Sequence, residues 1–205
     1  MDEKEKILEL GEEKFFREGF YKTTMDDVAS EMRMSKKTIY KFFPSKEDLI
    51  MGIAKFFMNK MKTKILAALN SDKNAIEKLE QLIQILAGAS QRISPKMMDE
   101  MRRHFPSLWD EVEKFRTEMM LANVTKVIEQ GKKEGLFKDY PTVIIMYTLV
   151  GSVRTVVNPE FILNNNFSII SAALTVFRIL IEGITTEKGK NIFNKTINEN
   201  APWKN

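Results

Sequence analysis

Residues 32–46 read MRMSKKTIYKFFPSK, and this stretch decides how the chain is interpreted. It carries five basic side chains and no acidic one, although acidic residues flank it on both sides. On a helix of 3.6 residues per turn, Ile39, Phe42 and Phe43 fall on one side, whereas Lys37 and Lys41 point the opposite way. One face is therefore predicted to be core, and the other is free to contact phosphates and bases.

Capping residues divide the first fifty residues into short helices. Thr24 can cap one helix, and Ser35 can cap the next, which covers residues 36–43 and stops before Pro44. Ser45 then starts a longer helix. A short helix, a three-residue turn and a second helix with a basic outer face have the sequence form of a helix-turn-helix, whose second helix enters the major groove of DNA.

Composition excludes several kinds of site. The 205 residues are 43% apolar, which is ample for a packed core, and they contain no cysteine and one histidine. Disulfides, thiolate nucleophiles and multi-histidine zinc sites are thereby excluded, and we expect no metal and no cofactor. No apolar run is long enough for a membrane span, and the acidic, amphipathic N-terminus is unlike a signal peptide, so we expect a cytoplasmic protein that binds no membrane.

Charge is informative only locally. The chain has a net charge of +4, but residues 1–50 hold ten Lys and Arg against twelve Asp and Glu. The basic cluster between Arg33 and Lys46 is therefore the feature that matters, since a lysine run alone is more often a solvated face than a contact with DNA.

Helical periodicity continues to the end of the chain and predicts an all-α protein. Beyond the short helices we predict longer ones near residues 46–69, 73–93, 95–105, 107–131, 141–157, 167–183 and 187–198. This change in helix length predicts a DNA-binding domain over residues 1–48 and a larger helical domain over residues 49–205.

A family resemblance rests on the stretch ILELGEEKFFREGFYKTTMDDVASEMRMSKKTIYKFFPSKEDLI. Its matching elements are Phe15, Gly19, Thr24, Val28-Ala29, Ser35, TIY at 38–40, Phe43 and SKEDL at 45–49. As a set they resemble the N-terminal domain of the tetracycline-repressor (TetR/AcrR) family of bacterial transcription regulators. The resemblance implies a three-helix helix-turn-helix domain followed by a larger helical domain for ligand binding and dimerisation, which the remaining 155 residues match only in style.

The resemblance also implies roles for single residues. Thr24 and Lys46 would bind backbone phosphates at helix N-termini. Tyr40 would contact phosphate, while neighbouring residues approach base edges in the major groove. The predicted DNA-binding residues are Thr24, Arg33, Ser35, Lys36, Lys37, Thr38, Tyr40, Lys41 and Lys46. For Thr24 and Ser35, capping alone is an equally good interpretation, and for Arg33 a solvated side chain is an equally good one.

Two positions depart from the family pattern. Arg33 stands in the turn, and Lys37 stands on the recognition helix, where relatives usually have glycine or another small residue. A left-handed Arg33 costs roughly 1 kcal/mol relative to glycine, which a folded domain tolerates. Lys37 adds a long cation to the outermost face of the helix. We therefore do not expect this chain to prefer the same operator sequence as its relatives.

Dimerisation is predicted from the two most apolar segments, at residues 141–157 and 167–183. Small residues at Gly151, Ala172 and Ala173 would allow close helix approach in a homodimer built from two helices of each chain. Interior helices of a monomer are an equally good interpretation of the pattern alone, and the resemblance favours the dimer. Such a dimer would bind a near-palindromic double-stranded operator.

Methionines and aromatic residues concentrate in the middle helices and could line an adaptable apolar pocket. The candidate ligand-binding residues are Met101, His104, Phe105, Trp109, Phe115, Met119 and Asn123. An ordinary hydrophobic core is the more frequent explanation of such a stripe. His104 has no identifiable nucleophile or orienting partner, which argues against a catalytic base.

The function predicted from the sequence is a non-enzymatic, homodimeric repressor that a small apolar or amphipathic molecule releases from DNA. The alternative is an all-helical small-molecule-binding protein or enzyme without DNA binding. That alternative has little support, because adjacent carboxylates such as Asp99 and Glu100 point in different directions on a helix and are poorly placed for acid–base work.

Overall fold

The computed structural model describes the backbone of residues 2–200 and the side chains of residues 2–195. Within residues 2–200 the chain is helical and forms no strand, which confirms the all-α prediction. The α-helices are α1 Glu3–Glu18, α2 Met25–Glu31, α3 Lys36–Phe42, α4 Lys46–Leu69, α5 Ala75–Ser90, α6 Pro95–His104, α7 Pro106–Met119, α8 Thr125–Lys133, α9 Thr142–Val156, α10 Pro159–Asn165, α11 Ile169–Ile184 and α12 Glu187–Asn200.

Side-chain caps fix where the first helices begin. The Oγ1 atom of Thr24 accepts a hydrogen bond from the backbone N–H of Asp27, and Ser35 and Ser45 cap α3 and α4 in the same way. Each cap satisfies one of the four N–H groups that a helix start leaves without a partner. The three predicted caps are confirmed.

The first three helices, called the head below, share one hydrophobic core. Its members include Ile7 and Phe15 of α1, Val28 of α2 and Ile39 of α3, each no more than 1% exposed. This core continues beyond the head onto Ile50 and Ile53 of α4 and onto Met97, Met101 and Leu108. The domain division after residue 48 stays a prediction.

Helices α5 to α12 are called the body below, and a second core lies among α5 and α8 to α12. Its most deeply buried members, each no more than 1% exposed, are Ala75, Ile76, Val127, Ile128 and Ile162. Helix α4 joins the two cores, because its N-terminal half packs in the first and Ile65 packs in the second.

The segment GKKEGLF ends α8 with its first three residues and forms a tight turn toward α9 with the rest. A Cβ atom on Gly131 would lie 2.1 Å from the Phe137 ring, so this position requires glycine, and the φ of +70° at Gly135 favours glycine there. Backbone hydrogen bonds beside Phe137 then join the turn to Thr185 after α11. The turn thereby ties α8 to the end of α11.

Two details differ from the predicted helices. The span predicted as one helix near 107–131 contains a π-helical turn at Met120–Val124, which separates α7 from α8. The stretch NPEFILNNN, which lies between the helices predicted near 141–157 and 167–183, forms the short helix α10, where Asn158 caps the start and Asn166 takes the left-handed conformation at the end. Asparagine is favoured both as the N-terminal cap of a helix and in the left-handed position at its end. A run of asparagines can therefore mark the two ends of a helix, as it does here, and not only a loop.

In the described part of the chain, no single helix is both long and apolar enough to cross a membrane. Helices α10 and α11 pass that test only as a pair, and they meet at 99°.

Candidate functional site

Helix α3 has two different faces. Ile39 is fully buried and Phe43 is 4% exposed, whereas Lys37, Tyr40 and Lys41 are exposed. Neither Lys37 nor Lys41 forms an ion pair within residues 2–195. The division of this helix into a buried and a basic face is therefore as predicted, and both lysines are available to an anionic partner.

Two residues of α3 are already engaged within the head. The Lys36 ammonium lies 2.5 Å from a carboxylate oxygen of Asp26 at the start of α2. The Thr38 hydroxyl lies 2.9 Å from the Ser35 hydroxyl, and its own backbone N–H donates to Ser35. Both contacts are exposed and weak, so they orient these side chains without preventing contact with another molecule.

The start of α2 and the start of α4 lie on the same side of the head. Thr24 forms a capping box with Asp27, whose carboxylate accepts hydrogen bonds from the backbone N–H and the hydroxyl of Thr24. Because of these bonds, the pKa of Asp27 lies below its usual value. Lys46 donates to the carbonyl of Tyr21, 3.1 Å away, which places its cation beside the loop that precedes Thr24.

Arg33 adopts a φ of +52° in the turn between α2 and α3. Its backbone N–H donates to Ser30, and the following N–H donates to Ala29, so the turn closes with its backbone hydrogen bonds formed. The side chain is exposed. The left-handed arginine that the sequence allowed is thus present, and the turn retains its shape.

A network of ion pairs holds α1 against α2. The Lys14 ammonium lies 2.6 Å from Glu31 and 3.0 Å from Glu18, and Arg17 contacts Glu31 at 2.7 Å. The hydrogen bond to Glu31 raises the pKa of Lys14 against the opposing effect of burial. The same bond, followed by that from Arg17, lowers the pKa of Glu31. These contacts fix the helix that supports α3.

Tyr21 is an exposed residue of this surface that the sequence did not single out. It is 65% exposed, and its ring packs against His104, with centroids 5.2 Å apart. Its carbonyl accepts the hydrogen bond from Lys46. The only signal in the sequence was its place beside Thr24 in the polar run YKTT.

Comparison with known proteins supports the helix-turn-helix assignment. Residues 7–52 match the model of the bacterial regulatory proteins of the tetR family. The HTH-type transcriptional regulator YhgD of Bacillus subtilis is 30% identical over 140 residues, which cover 67% of this chain and 73% of that protein. The chain belongs to the TetR family. The predicted family is therefore confirmed, and the protein is a DNA-binding transcription regulator.

Other transcription regulators match over most of the chain. YvaF of Bacillus subtilis, also an HTH-type transcriptional regulator, is 23% identical over 167 residues, which cover 80% of this chain and 87% of that protein. The crystal structure of a transcriptional regulator from Cytophaga hutchinsonii superposes with a TM-score of 0.71 at 23% identity, covering 89% of this chain and 98% of that one. The fold of head and body together is thus one that regulators share.

A cavity of about 270 Å³ lies between the head and the body of this TetR-family chain. Five of the seven predicted ligand-binding residues line it, namely Met101, Trp109, Phe115, Met119 and Asn123. His104 and Phe105 do not. They stand where α6 ends and α7 begins, and they pack toward the head, His104 on Tyr21 and Phe105 on Phe20.

The cavity wall also includes residues that the sequence did not indicate. Phe15, Phe16 and Phe20 of the head contribute to it. Their helical spacing is that of ordinary core residues, and nothing local distinguishes them. Only the packing of α6 and α7 against the head reveals that they face a cavity.

The segments predicted to form a dimer interface expose apolar side chains. Ile144 and Tyr147 of α9 are 62% and 70% exposed, and Ile179 of α11 is 65% exposed. Of the three small residues, Gly151 is exposed, but Ala172 is buried in the core and Ala173 lines the cavity. The expectation that these two alanines face another chain is therefore wrong, because α11 turns that side inward.

Among the described residues, no group of three or more His, Asp and Glu side chains is arranged to hold a metal ion.

Proposed function

We propose that this TetR-family protein is a homodimeric repressor, released from a near-palindromic operator by a small apolar or amphipathic molecule. It acts by binding alone, in the cytoplasm, where bacterial DNA lies. The observation that carries the proposal is the basic outer face of α3, which stands opposite the fully buried Ile39.

The recognition surface combines base-reading and phosphate-binding residues. Lys37 and Lys41, exposed and without an ion pair among the described residues, are the strongest candidates for the major groove. Thr24 and Lys46 stand at helix starts, where free N–H groups favour phosphate. The proposed surface consists of Thr24, Arg33, Ser35, Lys36, Lys37, Thr38, Tyr40, Lys41 and Lys46.

Two of these residues, Lys36 and Thr38, already contact other residues of the head. Lys36 would leave Asp26, an exposed pair that is inexpensive to break. Thr38 shares its hydroxyl with Ser35, so its contribution is smaller than that of Lys37.

Dimerisation through α9 and α11 is supported by their exposed apolar side chains. Ile144, Tyr147 and Ile179 would leave water if two copies met across a two-fold axis. The two-fold axis would place one α3 helix on each side of it. Binding to half-sites one DNA turn apart requires a separation of about 34–36 Å between these two helices.

Release by a ligand is supported by the position of α4. This helix begins at the recognition surface with Lys46 and continues along the cavity, where Ile53 and Ile65 form part of the wall. A ligand that fits the cavity better when α4 has shifted would favour a state in which the two α3 helices no longer fit successive grooves. Coupling of this kind is typically worth about 1–3 kcal/mol.

The experiment measures DNA affinity as a function of salt. The purified protein is first used to enrich its preferred duplex from a random pool, and the affinity for that duplex is measured between low and physiological salt. Lys37→Ala and Lys41→Ala are each compared with Lys126→Ala, which removes an exposed lysine of α8.

We expect each α3 variant to weaken binding and to lower the log–log salt slope by about one for each phosphate that is no longer neutralised. The Lys126 variant should match the wild type. An unchanged affinity and slope in both α3 variants would contradict the proposed interface, and an enriched sequence without two related half-sites would contradict the dimeric operator.

A further inference from the structure

The cavity between head and body is long and narrow. Along α4 its wall extends from Ile53 to Ile65, twelve residues that span about 18 Å at the rise of an α-helix. The opposite wall extends from Trp109 to Asn123, about 21 Å by the same rise. A sphere with the cavity's volume of about 270 Å³ would be only about 8 Å across. A slender, extended molecule therefore fits this space better than a compact one.

The two ends of the cavity belong to different cores. Trp109 packs against the core of the head, together with Phe15 and Phe20. Asn123 and its neighbour Val124 lie at the other end, where Val124 belongs to the core of the body. A ligand that fills the cavity consequently contacts α1 of the head directly.

The wall is almost wholly apolar and carries little free charge. Among the described residues that line it, Arg116 is the sole ionisable one, and it already pairs with Glu113. Glu113 also lies 3.9 Å from Arg154. A charged group buried here would have to go without a dedicated counter-ion, which is costly. The lining therefore favours an uncharged ligand.

Asn123 offers a polar contact at the body end. It is 4% exposed, and its Nδ2 donates to the carbonyl of Met119 at 2.9 Å. Its Oδ1 accepts no hydrogen bond from the part of the chain that the structure describes. The π-helical turn Met120–Val124 carries it, and such turns often occur at functional sites. This carboxamide oxygen can accept a hydrogen bond from a hydroxyl group.

We infer that the effector is a single unbranched alkyl chain with a neutral hydroxyl head. Asn123 binds the hydroxyl group, and the methyl end of the chain lies against Phe15, Phe16 and Phe20. At about 1.25 Å per methylene, set by the C–C bond length, the walls accommodate about 14 carbons. The inference rests on the proposed function, since it names the chemical class of the releasing ligand. It also makes chain length the property that the protein senses, because only a long chain reaches the head.

The test titrates the full chain carrying Trp203→Phe with straight-chain 1-alkanols of 8 to 14 carbons. In this variant Trp109, on the cavity wall, is the single remaining tryptophan and reports binding by its fluorescence. We expect affinity to rise about fourfold per added methylene, the factor for burying one methylene group. Carboxylates and trimethylammonium compounds of the same length should bind at least tenfold more weakly. Equal binding by the charged series, or no dependence on length, would overturn the inference.

Three variants test the direction in which the chain lies. Asn123→Leu keeps the side-chain volume and should weaken alkanol binding about tenfold by removing the hydrogen bond. Ala54→Phe fills the head end of the cavity, so eight-carbon alkanols should still bind while longer ones lose their advantage. Ala173→Phe fills the body end and should weaken every length. If Ala54→Phe and Ala173→Phe behave alike, the proposed direction is wrong.

Failure of this inference can be distinguished from failure of the proposed function. Thermal unfolding shows whether each variant is folded, and Ala54→Leu is the smaller replacement if Ala54→Phe is not. Alkanol binding without any DNA binding would leave the ligand class standing and remove the repressor. DNA binding that 1-tetradecanol does not weaken would remove the alkyl effector and leave the repressor.

Discussion

The carboxylate of Glu12 in α1 lies 2.5 Å from the guanidinium of Arg92, eighty residues further along the chain. Glu12 is 1% exposed and also contacts Lys60 of α4 at 3.2 Å. The Arg92 guanidinium stacks on the ring of Phe16, 4.7 Å from its centroid. One buried carboxylate thus joins α1, α4 and the turn after α5, beside a wall of the cavity.

We predict that Arg92→Gln destabilises the fold by about 1–3 kcal/mol. Removing one partner of a buried ion pair leaves an uncompensated charge, but Arg92 is partly exposed and Lys60 remains, so the full penalty is not expected. Glu12→Gln should cost less, because both cations reach solvent, and the double variant should resemble Glu12→Gln alone. Urea unfolding measures these differences.

The control is Arg178→Gln, which breaks the exposed pair with Glu182. Its effect should stay within about 0.5 kcal/mol. If Arg92→Gln is as mild as this control, the Glu12 pair does not hold head and body together.

A second prediction concerns the left-handed backbone of Arg33, whose φ is +52°. Arg33→Gly should stabilise the protein by up to about 1 kcal/mol, because glycine adopts this conformation without a steric cost. Arg33→Ala keeps that cost and should not stabilise. Both variants remove the charge, so they should weaken DNA binding equally if Arg33 contacts phosphate, and a weakening in only one would assign the effect to the backbone.

Local patterns predicted the head well because local chemistry builds it. Thr24, Ser35 and Ser45 cap helices by bonding to residues three positions away, and the buried stripe of α3 follows from its own periodicity. The cavity depends instead on contacts between distant segments, such as Glu12 with Arg92, which no periodicity encodes. That is why five ligand candidates of the stripe reach the cavity while the aromatic residues of α1 were not foreseen.

The body shows the same limit at smaller scale. The methionine-rich helix was predicted, but its π-helical turn at Met120–Val124 was not, because the helical periodicity of the segment does not mark it. The small residues of α11 were recognised, yet Ala172 and Ala173 face inward. Helical phase relative to a partner is set by the neighbouring helices and cannot be obtained from one segment alone.

A third prediction concerns acid stability. Hydrogen bonds from Lys14 and Arg17 lower the pKa of Glu31, so this residue stabilises the fold above the pKa it has when unfolded, about 4.3. That contribution is lost as the pH falls through the lower folded value. The pKa of Lys14 is raised, so its contribution persists up to about pH 10 and is lost above it. The contribution of these ion pairs to the free energy of unfolding should therefore not change with pH near neutrality.

Urea unfolding of the wild type and Glu31→Gln between pH 7 and pH 2.5 measures this effect. The variant should be less stable at pH 7 and should lose less stability on acidification. Glu13→Gln, which changes an exposed carboxylate of α1, should follow the wild type. The same acid dependence in all three proteins would show that the Glu31 contacts contribute nothing.

The last prediction concerns the exposed apolar face of α9 and α11. In a two-fold interface every substitution occurs twice, so Ile144→Glu or Ile179→Glu would bury two carboxylates without counter-ions in an apolar, desolvated site. We expect both variants to sediment as monomers of 23.8 kDa, whereas the wild type should have twice that mass. Leu10→Glu, which adds the same charge at an exposed leucine of the head, should remain dimeric.

Each monomeric variant should also lose most of its affinity for a two-half-site operator while retaining its helical circular dichroism, because one head alone contacts half of the phosphates. A wild type of 23.8 kDa, or glutamate variants that stay dimeric, would place the interface elsewhere.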